Sequence, residues 1–288
     1  MTDATAEFER HRARLERVAY NMLSSRAEAE DVVQEAWLRW ERADRDEIRD
    51  PGAWLTTVVG RLALDALGSA RVRREQYVGS WLPEPLVADP ASDPADRVTL
   101  DETVSMAMLV VLDRLSPAQR TAFVLHDVFG VPFDEIGEIV GRTPEATRKL
   151  ASRARREVRT ERTGTTVDRA EQERVVAAFT VAASGGGMDE LIALLDPDVV
   201  WSSDGGGHVA AVRKPLHGAE RVAKAILGFS RMGVLGAYLA DVNGEPGLVM
   251  RDANAVLTVM AFAIEGGRIT AIHTVRNPEK LRGVPSPG

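Results

Sequence analysis

The densest chemistry in the sequence lies between Val131 and Val158, in VPFDEIGEIVGRTPEATRKLASRARREV. Phe133, Ile136, Gly137 and Val140 fall at i, i+3, i+4 and i+7, the spacing of one apolar helix face, and Gly141 supplies a stop. Thr143 before Pro144 is a start signal. Its hydroxyl can cap free backbone N–H groups, and the missing N–H of proline costs nothing at the first helical position. On the helix that follows, Thr147, Leu150, Ala151, Ala154 and Val158 share one side, while Glu145, Arg148, Lys149, Ser152, Arg156 and Arg159 cluster around the other. Between Gly141 and Arg162, eight basic residues stand against three acids. Such a helix, the second of a closely joined pair, suits the DNA major groove. Its first turns reach base edges, where a bidentate contact discriminates by ~1–3 kcal/mol, and its later arginines meet phosphate. The expected DNA contacts are Glu145, Thr147, Arg148, Lys149, Ser152, Arg153, Arg155 and Arg156, although Thr147 belongs by spacing to the inward side. A basic helix standing alone reads better as a solvated arginine-rich face; the coincidence of stop, cap and preceding helix favours the groove.

A second stripe has different chemistry. Asp31, Gln34, Glu35 and Leu38 repeat the i, i+3, i+4, i+7 spacing and set two carboxylates and an amide opposite Val33, Ala36, Trp37 and Trp40. That face suits a protein partner offering arginines, and in isolation it is also an ordinary solvated face.

The elements that must position these groups are read from periodicity. From Glu7 to about Ala70 apolar residues recur at helical steps in three groups (Leu15 to Met22, Val33 to Trp40 and Trp54 to Leu62), with Pro51 separating two of the segments. From Glu75 to about Val98 the periodicity fails, and YVGSWLPEPLVADPASDPADR carries four prolines, which marks a linker. Helical pattern resumes at Leu100 and runs to about Glu161, and ERTGTTVDR marks another boundary. Beyond it, helical segments near Arg169–Ala183 and Gly218–Met232 alternate with the β-rich runs DVVWSSD, GLVMRD, NAVLTVMAFAIEGG and RITAIHTV. Gly266-Gly267 reads as a hairpin turn, and the whole as an α+β domain.

Composition bounds the remaining classes. With 288 residues, several compact units are expected, and a net charge of -7 is compatible with DNA binding only because the basic residues are concentrated locally. There are no cysteines, the five histidines lack metal-ligand spacing, and no apolar run is long enough to span a bilayer. No metal, cofactor or membrane partner is expected, and the start MTDATAEFERHR lacks the order of a secretion signal, so the cytoplasm is the expected compartment.

Two stretches together resemble the extracytoplasmic-function branch of the sigma-70 sigma factors. LSPAQRTAFVLHDVFGVPFDEIGEIVGRTPEATRKLASRARR is similar to sigma region 4, which in that family reads the -35 promoter element. AEAEDVVQEAWLRW and PGAWLTTVVGRLALDALGSARVRRE are similar to region 2, which holds core RNA polymerase and opens the -10 element. The resemblance implies that Asp31, Gln34, Glu35 and Leu38 face the clamp helices of the largest polymerase subunit. It also implies that Arg61, Asp65, Arg71, Arg73 and Arg74 meet the unwound -10 strand of promoter DNA. Arg61 stands where many relatives carry asparagine, and Gly68 where a basic residue is frequent.

More than a hundred residues follow region 4, and their pattern resembles the SnoaL-like fold, a cone-shaped α+β barrel. The subgroup of this sigma family carrying such a domain is marked here by Trp81, Leu82, Pro83, Glu84 and Pro85 in the linker. Its two other motifs are Asp204, Gly205, Gly206 and Gly207, and Asn277, Pro278, Glu279, Lys280 and Leu281. The implied organisation is multidomain: region 2 over 1–75, the linker over 76–99, region 4 over 100–162, and the SnoaL-like domain over 163–288. The three motifs are expected to lie together and tie the sigma regions into a compact arrangement, with the apolar linker strip docked on the last domain. Asp204, His208, His217 and His273, with Trp201 and Phe262 as walls, are the residues available for proton transfer or a small-molecule pocket; the expected function is regulatory, not enzymatic. The alternatives are a C-terminal enzyme or sensor, and a polymerase-independent helix-turn-helix regulator.

Overall fold

Ser24 adopts a left-handed backbone (φ 58°) and breaks the first helical stretch into α1 (Asp3–Leu23) and α2 (Arg26–Arg42). The Ser25 hydroxyl accepts the Glu28 N–H to start α2. In the computed structural model, which describes residues 3–88, 104–161 and 168–287, the chain divides into two compact units. In the first, α3 (Pro51–Glu75) begins with proline where its missing N–H is harmless, and Asp50 accepts the Ala53 N–H at 3.0 Å. Phe8, Leu15, Val18, Met22, Val33 and Leu55 are buried between these helices, as is Trp40, whose Nε1 donates to the Ala4 carbonyl at 3.0 Å.

The helical stretch read from Leu100 is made of several helices. Its first described segment, α4 (Met106–Leu112), stops before a capping box in which Ser116 and Gln119 satisfy each other's backbone N–H groups. There α5 (Pro117–Phe123) begins, and it continues as a π-helical turn over Val124–Val128. Then come α6 (Phe133–Val140) and α7 (Pro144–Glu161), at the ends read from the sequence. Gly141 closes α6 with φ 64°, and the Thr143 hydroxyl accepts the Ala146 N–H at 3.3 Å. Gly137 allows the close turn: a Cβ there would lie 2.7 Å from the Arg142 carbonyl oxygen. α3 packs closely on α6, since a Cβ at Gly60 would lie 3.0 Å from Ile139.

The second unit holds residues 76–88 of the linker, residues 105–110 and the C-terminal domain. Helices α8 (Arg169–Gly185), α9 (Met188–Leu194) and α10 (Ala219–Ser230) accompany a sheet of β1 (Val87–Ala88), β2 (Leu195–Asp204), β3 (Leu216–His217), β4 (Val234–Val242), β5 (Glu245–Asp252), β6 (Leu257–Glu265) and β7 (Arg268–Val275). Its order is β1-β4-β5-β6-β7-β2-β3, antiparallel except for the β2–β7 pair. The sheet is open rather than closed: β1 and β3, each two residues long, are its edges, so the cone is a mixed sheet and not a complete barrel. One apolar cluster joins Phe179, Leu191, Trp201, Ile226, Phe262 and Ile272 between the helices and the sheet. A second joins Val242, Val249, Val259 and Val275 to Leu82, Met106 and Leu281, so linker and C-terminal residues share a core with the sheet.

Replacing Gly137 with alanine is expected to destabilise the helical unit by about 1–3 kcal/mol through overpacking. Denaturant unfolding followed by circular dichroism checks this, and an unchanged midpoint would show that the α6–α7 turn has room to relax.

Candidate nucleic-acid interface and linker clasp

The cap and the proline set the start of α7, and its burial pattern fixes which way it faces. Thr147, Ala151, Ala154 and Val158 are buried, and Glu145, Arg148, Lys149, Ser152, Arg153, Arg156 and Arg159 are exposed. Thr147 therefore departs from the expected contact set. It has no exposed surface, and its hydroxyl donates to the Thr143 carbonyl at 3.0 Å, so it seats the helix and cannot reach a base. Arg155 is half-buried and paired with Asp127 at 2.6 Å. Ser152, Arg153, Arg155, Arg156, Arg159 and Thr160 line an open hollow of about 490 Å³, basic enough to receive phosphate.

On α2, Asp31 and Gln34 are exposed and Glu35 and Leu38 half-exposed, on the side away from buried Val33, Ala36 and Trp40; Glu35 also meets Arg39 at 3.0 Å. The residues expected at the -10 strand are placed differently from one another. Asp65 is exposed. Arg61 donates to the Glu138 carbonyl at 3.5 Å and lies 3.9 Å from the Glu138 carboxylate. Arg74 is not free for phosphate: it pairs with Asp113 and donates to the Leu23 carbonyl at 2.7 Å. The side chains of Arg71 and Arg73 lie outside the described residues.

Asp113 is shared with Arg120, 2.6 Å away. Arg120 also donates to the Asn21 carbonyl at 3.3 Å and to the Ser24 hydroxyl, and burial pushes its pKa down to about 10 despite the adjacent carboxylate. One carboxylate from the turn before α5 thus serves guanidiniums of α3 and α5, both of which are anchored on the end of α1. Arg14 makes a parallel link, donating to Thr56 at 2.9 Å and to the Phe129 carbonyl at 3.2 Å.

The C-terminal unit is organised around Asp204, the buried last residue of β2. One carboxylate oxygen accepts the Tyr77 hydroxyl at 2.6 Å and the Gly206 N–H at 3.0 Å. The other accepts the Leu82 N–H at 2.9 Å and the Lys280 ammonium at 2.8 Å. Lys280 also donates to the Leu82 carbonyl and lies 4.1 Å from the centre of the Trp81 ring. Asn277 donates to Tyr77 at 2.7 Å and caps the turn Pro278–Lys280 through the Glu279 N–H. Gly206 takes φ 64°, and a Cβ there would lie 2.5 Å from the Asn277 side chain; at Gly205 it would lie 2.4 Å from the Val209 carbonyl oxygen. Leu82, Pro83, Pro85 and Leu281 are buried, while Trp81, Glu84, Gly206 and Lys280 are partly exposed and Gly207, Pro278 and Glu279 exposed. Burial, reinforced by the Asp204 charge, holds the Tyr77 hydroxyl protonated far above the usual phenol range.

Residues 8–73 match the family model for sigma-70 region 2 and residues 105–158 that for sigma-70 region 4. The ECF RNA polymerase sigma factor SigJ of Mycobacterium tuberculosis is 42% identical over 97% of this chain and 94% of its own length. The probable ECF RNA polymerase sigma factor SigI of that species is 38% identical over 96% and 94%. The crystal structure of Mycobacterium tuberculosis SigJ aligns with a TM-score of 0.81 at 39% identity, covering 98% of this chain and 99% of that one. The chain belongs to the extracytoplasmic-function RNA polymerase sigma factors.

In this sigma factor the groups available for proton transfer stand in different surroundings. The Asp204 carboxylate is occupied by the linker, His208 is exposed 3.8 Å from Glu279, His217 is exposed on the edge strand β3, and His273 is buried on β7. Trp201 and Phe262 are core residues: the Trp201 indole donates to Thr274 at 2.8 Å, and Phe262 packs edge-on against Phe179.

Sequence reading missed Tyr77 and Asn243. Asn243, with φ 52°, exchanges hydrogen bonds with the backbone of Leu86 and aligns β1 on β4. It also missed the buried pair of Arg276 and Asp252, 2.6 Å apart, in which burial holds the arginine below its usual pKa. Asp204→Ala in this sigma factor leaves the Tyr77 hydroxyl, the Leu82 N–H and the Lys280 ammonium without their acceptor. Linker docking is expected to weaken by about 3 kcal/mol, read as at least about tenfold faster chymotrypsin cleavage between Tyr77 and Leu82. Unchanged cleavage would show that apolar burial alone holds the segment.

Proposed function

We propose that this sigma factor engages core RNA polymerase through region 2, reads the -35 element with α7 and the -10 element with α3, and is regulated in cis by its C-terminal domain. The exposed arginine face of α7, presented by a capped helix-turn-helix, is the observation that carries the DNA-reading part. Base-edge reading falls to Glu145, Arg148, Lys149 and Ser152, and phosphate contact to Arg153, Arg156 and Arg159. The stripe of Asp31, Gln34, Glu35 and Leu38 offers carboxylates and an amide to arginines on the clamp helices of the largest polymerase subunit. Among the described residues no helix is long and apolar enough to cross a membrane, in keeping with action on cytoplasmic polymerase.

The Asp204 clasp supports regulation in cis. It fixes the linker that joins region 2 to region 4, so it limits the separations the two DNA-reading regions can take. The occupied state of Arg74 and the placement of Arg61 beside Glu138 support a closed form, because the same guanidiniums cannot serve region 4 and DNA at once. A shift of ~1–3 kcal/mol between closed and open forms is enough to change promoter occupancy severalfold. In this reading the C-terminal domain acts as a docking module rather than a catalyst, since Asp204 is committed to four donors.

In vitro transcription with core polymerase tests the reading. The full chain is expected to direct initiation at a defined start site, and ending it after Arg162 to change promoter activity. Charge reversal at Asp31 and Glu35 together should weaken core binding at least about tenfold. Initiation at no defined site by either chain length would refute the sigma assignment, and unimpaired core binding by the double variant would refute the assigned face.

A further inference from the structure

The π-helical turn over Val124–Val128 has a structural product that the DNA-reading assignment does not use. It sets His126 against Phe133, the first residue of α6, with ring centres 3.8 Å apart and planes inclined by 29°. His126 is fixed by its Nδ1, which lies 3.0 Å from the Val131 carbonyl oxygen; a carbonyl can only accept, so Nδ1 carries the proton. The Phe133 ring, held this way, supports Arg148 of α7, whose guanidinium carbon lies 5.5 Å from the ring centre. Among the described residues Arg148 is the α7 cation that packs over an aromatic ring, whereas Arg155 is paired with Asp127.

We propose that Phe133, backed by His126, is a positioning residue for promoter specificity, one that orients the Arg148 guanidinium to read a single guanine-bearing base pair of the -35 element. The proposal rests on the reading of α7 as the -35 helix and adds the device that makes one of its cations selective. An exposed arginine samples many rotamers, and each must be given up when the planar fork is aligned on the O6 and N7 of guanine. A cation–π contact narrows that ensemble before DNA arrives. The narrowing favours only the contact that needs a fixed plane and direction. Phosphate contacts, which accept a point charge from many directions, gain little. Phe133 therefore acts on discrimination and not on general DNA affinity.

The test uses the full chain with core polymerase on a promoter library randomised across the -35 element. It reads base preference at each position, the salt dependence of binding and the melting temperature. Arg148→Ala is expected to flatten the preference at one base pair and so to locate its target. Phe133→Leu, which keeps an apolar residue at the start of α6, should reduce the preference at that same base pair about five- to tenfold. The other positions and the salt slope should stay unchanged. Phe133→Trp should restore the preference to within about twofold, since its ring also binds cations. His126→Ala, which leaves Phe133 in place without its backing, should give an intermediate loss at the same position. The proposal is overturned if Phe133→Leu and His126→Ala leave that preference intact, or if they weaken all positions together with a lowered melting temperature. Flattening of no position by Arg148→Ala, in a protein that still selects promoters, also overturns it. Absence of any promoter selection by the unaltered chain would instead overturn the sigma reading beneath it.

Discussion

A carboxylate shut away from water stays charged only if donors surround it, and Asp204 meets that condition with partners drawn from three separate stretches of chain. Tyr77 and Leu82 come from the linker, Gly206 from the adjoining loop and Lys280 from the C-terminus. Removal of any one of them leaves a buried charge short of a donor, which couples the segments more tightly than apolar contact alone can. Leu82 and Leu281 then enter the same apolar cluster of the sheet from different parts of the sequence. The polar centre sets register and the apolar cluster adds area, so the linker has one seat on this domain instead of a range of them.

The helical unit follows the same rule with the charges reversed. Asp113 compensates Arg74 and the almost fully buried Arg120, and backbone carbonyls at the end of α1 accept a further N–H from each. Arginine suits such a place because its planar fork can serve several acceptors at once. A guanidinium so engaged is also withdrawn from solvent.

Local signals carried the helix-turn-helix. Gly141, Thr143 and Pro144 act on their own neighbours, and the ends of α6 and α7 fall where those residues place them. Ser25, followed three residues later by Glu28, carries the local signal of a helix start and marks the division at Ser24. Asn243-Gly244 is likewise a strong hairpin signal, and β4 ends where it begins. Other features had no local signal at all. Tyr77 and Asp204 are 127 positions apart, and nothing near either residue announces the contact. Arg74 was assigned to DNA from its motif, but whether a cation faces solvent or a carboxylate is decided by tertiary packing. The glycines after Asp204 were legible as a tight loop, and the side chain they make room for, Asn277, emerged only with the fold.

The two residues of β1 lie along β4 and continue the sheet by one short strand. A departing linker takes that strand with it and bares the hydrogen-bonding groups of Asp241 and Val242, as well as the apolar cluster that Leu82 had covered. Bare strand borders beside greasy surface recruit other chains, and self-association is the usual outcome. An undocked molecule would therefore be a hazardous species in a crowded cell unless another macromolecule shielded the vacated strip at once.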